Sequence, residues 1–353
     1  MIAALLRTSR ERVKHRAPPF PPPLSPLVPR THGQREPGAV IHGPRTLGAS
    51  TAPPGGFTLI ATAPPRIDAP LVRRLIAAQF PRWASLEVRP VDLDGWDNRT
   101  FRVGEALAAR LPSAAGYVPQ VRKEVTWLPF LASAVSLPIP EVVALGEPGE
   151  GYPFEWTMRR WIPGTPAAAV GGLDLRALAR DLAAFLVELR SVDPSAGPAP
   201  GAHSAGRGAG LDQWDAETRA AIRALGGDID GGAALEEWER ALDSPVAEPV
   251  VWFHGDVAAG NLLVADGRLS AVIDFGCAGV GDPACDLAIA WTFLDESSRD
   301  VLRHGLGADD SLWARGRGWA LWKALITADD PLRAGDAARV LSALGIANRR
   351  SGS

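Results

Sequence analysis

The first regular pattern of apolar and polar positions lies in "IDAPLVRRLIAAQFP" (67–81), where apolar residues recur at helical spacing. Asp68 suits its N-cap and Pro70 its first turn. Short strand-like runs follow: "LEVRPVDL", "TFRVG" and "ALAARLP". A helix is predicted through "QVRKEVTWLPFLASAV", interrupted by Pro129, and strands in "PEVVALGEP" and "FEWTMRRWI". After "IPGTP" (162–166) the character changes. "LDLRALARDLAAFLVELRSVD" (173–193) reads as a strong amphipathic helix, 194–210 as a Gly/Ala/Ser/Pro loop and "AALEEWERALDS" (233–244) as a helix. Residues 284–347 are mostly helical in pattern, and no internal repeat is visible. These elements predict an α+β fold with a smaller β-rich lobe over 66–161 and a larger α-rich lobe over 162–353.

One stretch breaks the alternation of core and surface. In "VWFHGDVAAGNLLVADGRLSAVIDFG" (251–276) a His, two Asp and an Asn stand among strand-like apolar residues. "VVWF" reads as a buried strand and "HGDVAAGN" as a loop. "LLVADGRLSAVIDF" reads as two strands joined by "DG", a strong hairpin signal. A hairpin returns the chain to its starting end, so Asn261 and Asp274 are predicted to lie close together, with Asp256 five residues before Asn261. A carboxylate and an amide oxygen converging on one point suit Mg²⁺, which takes oxygen ligands and keeps waters and substrate phosphates. A second carboxylate not consumed by the metal can accept a hydroxyl proton, the division of labour that phosphoryl transfer needs. A metal-hydrolase reading of His254, Asp256 and Asp274 finds no H-x-H or H-E-x-x-H to support it.

The chain has 353 residues, 46% of them hydrophobic, enough for a sizeable core. No apolar run reaches the roughly 18 residues needed to span a bilayer. The apolar run in "MIAALLRTSRER" is too short for a signal peptide. Two cysteines, Cys277 and Cys285, cannot make a disulfide framework and fit a reducing compartment, so a cytoplasmic location is expected. Residues 1–65 hold thirteen of the 32 prolines, a composition that cannot build a packed core and predicts a disordered or polyproline-like extension. That segment carries eight Lys/Arg and two Asp/Glu, about +6, which leaves about −9 on the remainder of a chain whose net charge is −3. An acidic body argues against nucleic acid as the partner and would suit a cationic small molecule.

"HGDVAAGN" followed by "IDFG" resembles the aminoglycoside phosphotransferase (APH) family, within the protein-kinase-like superfold. The Asp-to-Asn spacing is kept, and Gly255 stands where protein kinases have Arg. The resemblance covers about 80–330. It implies a bilobal fold, ATP or GTP as co-substrate and Mg²⁺ as cofactor. It implies that Asp256 is the catalytic base, that Asn261 and Asp274 hold Mg²⁺, that His254 braces the catalytic loop, and that Asp286 anchors it. On the nucleotide side, "DLDGWDNRTFRVG" resembles the phosphate turn, with Gly95 at its tip and backbone N–H groups through Asn98 and Arg99 near the phosphates; it lacks G-x-G-x-x-G. Arg110 takes the place of the third-strand Lys, with Glu124 as its helix partner and Lys123 as the alternative cation. The backbone of Arg160 and Ile162 in the hinge would meet the base, with Trp161 packing nearby.

For the acceptor, Asp282, Asp295 and Glu296 are candidate amine captors. Trp291, Trp313, Trp319 and Trp322 are candidates for an aromatic wall, although Trp319 and Trp322 have core spacing. The expected function is therefore transfer of the γ-phosphate of ATP or GTP to a hydroxyl of a small molecule, aminoglycoside- or macrolide-like. The alternatives are a metabolic kinase of the same fold acting on a sugar, choline-like or homoserine-like alcohol, and a nucleotide-binding pseudoenzyme.

Overall fold

The computed structural model describes residues 66–91, 97–246, 250–330 and 333–346. The proline-rich run 1–65 and the expected phosphate-turn Gly95 lie outside the described residues. Helix α1 (Ala69–Gln79) begins as its sequence predicts, with the Asp68 side chain accepting from Leu71 N at 3.0 Å. Its buried Leu71, Val72, Leu75 and Ile76 lie on an antiparallel sheet of β1 (Val88–Pro90), β2 (Asn98–Val103), β3 (Leu107–Pro112), β4 (Val142–Gly146) and β5 (Trp156–Arg160), in the order β1-β2-β3-β5-β4. The period of two assigns the faces. Phe101, Val103, Leu107, Ala109, Leu111, Trp156 and Met158 pack against α1 in one apolar cluster. Arg110, opposite Thr100 and Thr157 in the strand register, is left on the other face with Arg159. Each large side chain buried in this cluster stabilises the lobe by roughly 1.5–3 kcal/mol.

Helix α2 (Val118–Ala132) covers that second face. The sequence predicted an interruption at Pro129, whereas the helix runs through it. The proline removes one donor from the last turn, and Leu128 and Leu131, both 1% exposed, hold that turn in the core of the larger lobe.

Beyond the short strand β6 (Thr165–Pro166) the chain becomes helical, with α3 (Leu175–Arg190), α4 (Asp215–Leu225) and α5 (Gly231–Asp243). Strand β7 (Val251–Phe253) leads into the loop containing Asp256. The hairpin of β8 (Leu262–Ala265) and β9 (Arg268–Val272) follows, then β10 (Gly279–Gly281), antiparallel to β7. The "DG" turn is as expected: Asp266 at φ 51° and Gly267 at φ 74° both adopt the left-handed conformation of a tight hairpin. Helices α6 (Ile289–Thr292), α7 (Glu296–Leu306), α8 (Asp310–Thr327) and α9 (Ala334–Ala343) complete the lobe around a second apolar cluster. Helix α8 is buried on several sides, packed against α4, α5 and α9. No helix among the described residues is long and apolar enough to cross a membrane.

Candidate active site

The loop after β7 is pinned from below. Asp286, fully buried, accepts from His254 N at 3.0 Å and Gly255 N at 2.7 Å. Burial raises the Asp286 pKa, against the pull of His254, Arg190 and these two amides. Gly255 has φ 85°, and a Cβ there would stand 2.6 Å from Cys277 O, so glycine is required at this position. The His254 ring is enclosed edge-on against Phe275 at 4.6 Å. Its Nδ1 lies 3.2 Å from Asp256 N and its Nε2 3.0 Å from Ile273 O. Both ring nitrogens are therefore spent on backbone. Through those contacts His254 ties the loop to the end of β9.

The hairpin brings its two ends together. Asn261 O accepts from Ile273 N at 2.9 Å, which places Asp274 directly beyond Asn261. Asn261 Nδ2 donates to Asp256 O at 2.9 Å and to Asp256 Oδ2 at 3.2 Å. Asp274 adopts a left-handed backbone at φ 67°, and its Oδ1 accepts from Gly276 N and from Arg110. Such a conformation in a non-glycine residue costs energy and clusters at functional sites.

Three carboxylates share this cleft. Asp274 is held below its ordinary pKa: burial opposes ionisation, but the Arg110 charge and hydrogen bond prevail over repulsion from Asp256. Asp256 is also held low; burial again opposes, and Lys323, Arg207, His254 and Asn261 outweigh it. Asp97, at the mouth of the expected phosphate turn, is raised by burial and by Asp274. The donor set fits a divalent cation. Among the described residues, Asp274 Oδ2 and Asn261 Oδ1 take no hydrogen bond, and both are hard oxygen donors next to ionised carboxylate charge. No group of three His, Cys, Asp or Glu side chains capable of holding a metal occurs among the described residues. An ion here would need substrate oxygens, as Mg²⁺ in nucleotide sites does.

The upper wall departs from expectation in its pairing. Glu124 does not pair with Arg110. It accepts from Arg159 Nη1 at 3.1 Å and Nη2 at 2.6 Å in a pair 3% and 7% exposed. Arg110 instead reaches Asp274, and the amide of Asn98 lies 2.9 and 3.2 Å from Arg110 Nη2 and Nε, with its oxygen assigned to that side. The side chain of Asn98 thus orients Arg110. Arg99, half-buried on β2, is opposite Leu111 in the register, on the other face of the sheet from Arg110. Lys123 turns toward the large lobe, donating to Gly276 O at 2.6 Å, Ala278 O at 2.9 Å and His203 O at 3.2 Å.

In the hinge, the Arg160 N–H is already committed to Glu141 O, which removes it as a donor to a base. The Ile162 N–H has no partner among the described residues. Trp161 forms the edge of a cavity of about 550 Å³ with Arg102, Glu105, Arg160 and Gly164, and the Arg102 guanidinium lies 4.2 Å from its ring centroid.

On the acceptor side, two of the three candidate amine captors have structural partners. Asp282 caps a short helical turn and forms a buried ion pair with Arg315 at 2.8 Å; Asp295 caps α7, and Glu296 lies in its first turn. Trp291, Trp319 and Trp322 are core residues, with ring centroids 4.8 Å between Trp291 and Trp313 and 5.5 Å between Trp319 and Trp322. In their place, Lys323 Nζ lies 3.6 Å from Asp256 Oδ1.

Sequence reasoning missed Arg159, Asp97, Arg207 and Lys323. Arg159 had a usable signal, a charge at an alternate position of a buried strand. Lys323 had none, because its approach to Asp256 depends on how α8 packs.

A bilobal kinase-like fold with an oxygen-ligand cleft between its lobes defines the class: enzymes that transfer phosphoryl groups from nucleotides. A profile of the phosphotransferase enzyme family (APH) matches residues 87–320, and the chain belongs to that family. It is accordingly a small-molecule O-phosphotransferase. An aminoglycoside 3'-phosphotransferase of Escherichia coli is 29% identical over 217 residues, 55% of this chain and 73% of the relative. The GDP complex of an aminoglycoside 2'-phosphotransferase-IIIa superposes with a TM-score of 0.62 at 21% identity, covering 79% of this chain and 98% of the other. A type I macrolide 2'-phosphotransferase superposes at 0.53 with 21% identity over 80% and 97% of the two chains.

Proposed function

We propose that the protein moves the γ-phosphate of ATP or GTP to a hydroxyl of a small molecule in a Mg²⁺-dependent reaction. Residues 66–161 would serve as the nucleotide-binding lobe and 162–353 as the catalytic and acceptor-binding lobe, in the cytoplasm. The observation that carries the reading is the meeting of Asp256, Asn261 and Asp274 at one end of a hairpin. The GDP complex of the structural neighbour supports a nucleoside triphosphate as donor. The aminoglycoside and macrolide names of the relatives support a hydroxylated small molecule as acceptor.

In this assignment Asp256 accepts the hydroxyl proton while the alcohol oxygen bonds to the γ-phosphorus. The bond from that phosphorus to the β–γ bridging oxygen breaks, and the nucleoside diphosphate leaves. Asn261 orients Asp256 through its Nδ2 and offers Oδ1 with Asp274 to Mg²⁺, which when bound neutralises phosphate charge. Arg110, oriented by Asn98, contacts phosphate oxygens. Ile162 N–H meets the base beside Trp161. Asp286 and His254 hold the loop in register.

The test is nucleotide turnover with ATP or GTP, with and without Mg²⁺, against a panel of hydroxylated acceptors that includes kanamycin and a macrolide. Mg²⁺-dependent formation of a phosphorylated alcohol is expected, and Asp256→Asn should abolish it while still binding nucleotide. Full turnover by that variant would overturn the assignment.

A further inference from the structure

Resting on the phosphotransferase reading and going on to its acceptor, we propose that the alcohol phosphorylated here carries an oxyanion, a carboxylate or phosphate, held by Arg207 and Lys323 beside Asp256. Lys323 projects from α8 with its side chain 41% exposed and its Nζ 3.6 Å from Asp256 Oδ1. Arg207 lies in the loop before α4, with Cζ 5.1 Å from the Trp322 ring centroid and 5.5 Å from that of Trp319. Only its Nη1 is used, donating to Ala205 O at 2.9 Å; the other guanidinium N–H groups have no partner among the described residues. An arginine seated on indole rings with its donors open has the geometry for two oxygens of one anion.

Several of the acids on this side already have partners. Asp282 pairs with Arg315, Glu237 with Arg317 and Arg240, and Asp215 with Arg219 and the Trp238 Nε1. Glu217 accepts from Trp322 Nε1. A molecule approaching Asp256 meets Lys323 at its carboxylate, and the Arg207 charge also acts on that carboxylate. Ammonium groups of a polyamine acceptor would face like charge at both, which is discrimination by repulsion. It is the opposite of the amine capture for which Asp282, Asp295 and Glu296 were candidates.

The test uses matched acceptors with saturating nucleotide and Mg²⁺: glycerate, glycerol and aminopropanediol as one set, and glucose 6-phosphate, glucose and glucosamine as a second, with kanamycin as the polycation. The first set reads carboxylate recognition and the second phosphate. In at least one set, kcat/KM for the anion should exceed that for its neutral analogue about tenfold, with the amine last. Arg207→Gln and, separately, Lys323→Gln should lower the anion-to-neutral ratio at least fivefold, chiefly through KM. That ratio is taken within one preparation and is independent of the folded fraction. The proposal is overturned if an amine or kanamycin ranks first, if no anionic member is accepted while Mg²⁺-dependent nucleotide hydrolysis is present, or if neither variant moves the ratio. Absence of Mg²⁺-dependent nucleotide turnover in every arm would instead overturn the phosphotransferase reading on which it rests.

Discussion

The guanidinium of Arg110, on the small lobe, is paired with the carboxylate of Asp274, 164 residues away at the end of the catalytic hairpin. The cation assigned to the phosphates and a carboxylate assigned to the metal thus neutralise each other across the cleft. Nucleotide and Mg²⁺ entering together would replace that pair with two of the same sign pattern, phosphate on Arg110 and metal on Asp274. Arg110→Ala should therefore weaken nucleotide binding by about 10- to 100-fold, the value of a charge-assisted hydrogen bond of roughly 1.5–3 kcal/mol. Arg110→Lys should restore part of it, since a point charge replaces the fork. Isothermal titration with nucleotide and Mg²⁺ reads both, and equal affinities in all three proteins would refute the role.

Asp256 → Asn should cost about 10²–10⁴ in kcat, the usual contribution of a positioned base, with nucleotide Kd changed little. The acid limb of the wild-type pH profile should lie below the ordinary carboxyl value of 3.8, because Lys323 and Arg207 stabilise the carboxylate despite its burial. Removing a cation favours the protonated acid, so Lys323→Met should move that limb to higher pH. A profile of kcat/KM against pH that shifts the other way would separate Lys323 from the base.

What could be read from the chain was local. Asn261 reaches Asp256 across five residues and Gly276 reaches Asp274 across two, so residue spacing alone carries those contacts. The hairpin was equally legible, because the Asp266-Gly267 turn determines where Asn261 and Asp274 end up. The cross-cleft partners were not. Glu124 meets Arg159 over 35 residues and Arg110 meets Asp274 over 164, and no pattern within either segment distinguishes one arginine from the other. The strand period does narrow the choice, since Arg110 and Arg159 share a sheet face, but α2 decides which one Glu124 reaches. Asp295, a candidate captor whose more ordinary reading is a helix cap, is an N-cap, bonded to Ser298 N at 2.8 Å.

The pair of Glu124 and Arg159 is almost wholly enclosed, and breaking it from one side strands a buried charge. Glu124→Ala should destabilise the protein by about 3–5 kcal/mol, whereas replacing both residues with apolar ones of similar size should cost much less. The sign of the pH effect follows. Burial opposes ionisation of Glu124, but Arg159 and Arg110 leave its folded pKa below 4.5. Its contribution is then complete above about 4.5 and is lost as pH falls through the lower folded value. Denaturant melts at pH 7 and pH 4 measure this, and Glu124→Ala should lose less stability on acidification than the wild type.

Lys123 gives the last test, through a shift of the other sign. Its Nζ donates to Gly276 O, Ala278 O and His203 O, fastening α2 to the segment after Asp274 and to the loop before α4. Burial brings its pKa down from 10.5 to about 8, against the attraction of Cys277, Glu124 and Asp274. The unfolded chain then holds more protons between those two values, so this residue makes stability rise as pH goes from about 8 to about 10.5. Reductive ¹³C-methylation followed by NMR should show one lysine titrating near pH 8. Lys123→Met keeps the stem and removes all three donors, leaving three carbonyls short of a partner at about 1–3 kcal/mol apiece at most. That variant should melt at lower temperature at pH 7, lose the wild-type gain in Tm between pH 8 and 10, and exchange backbone amides faster over 274–280. A Tm that climbs with pH as steeply in Lys123→Met as in the wild type would show that some other group carries the dependence.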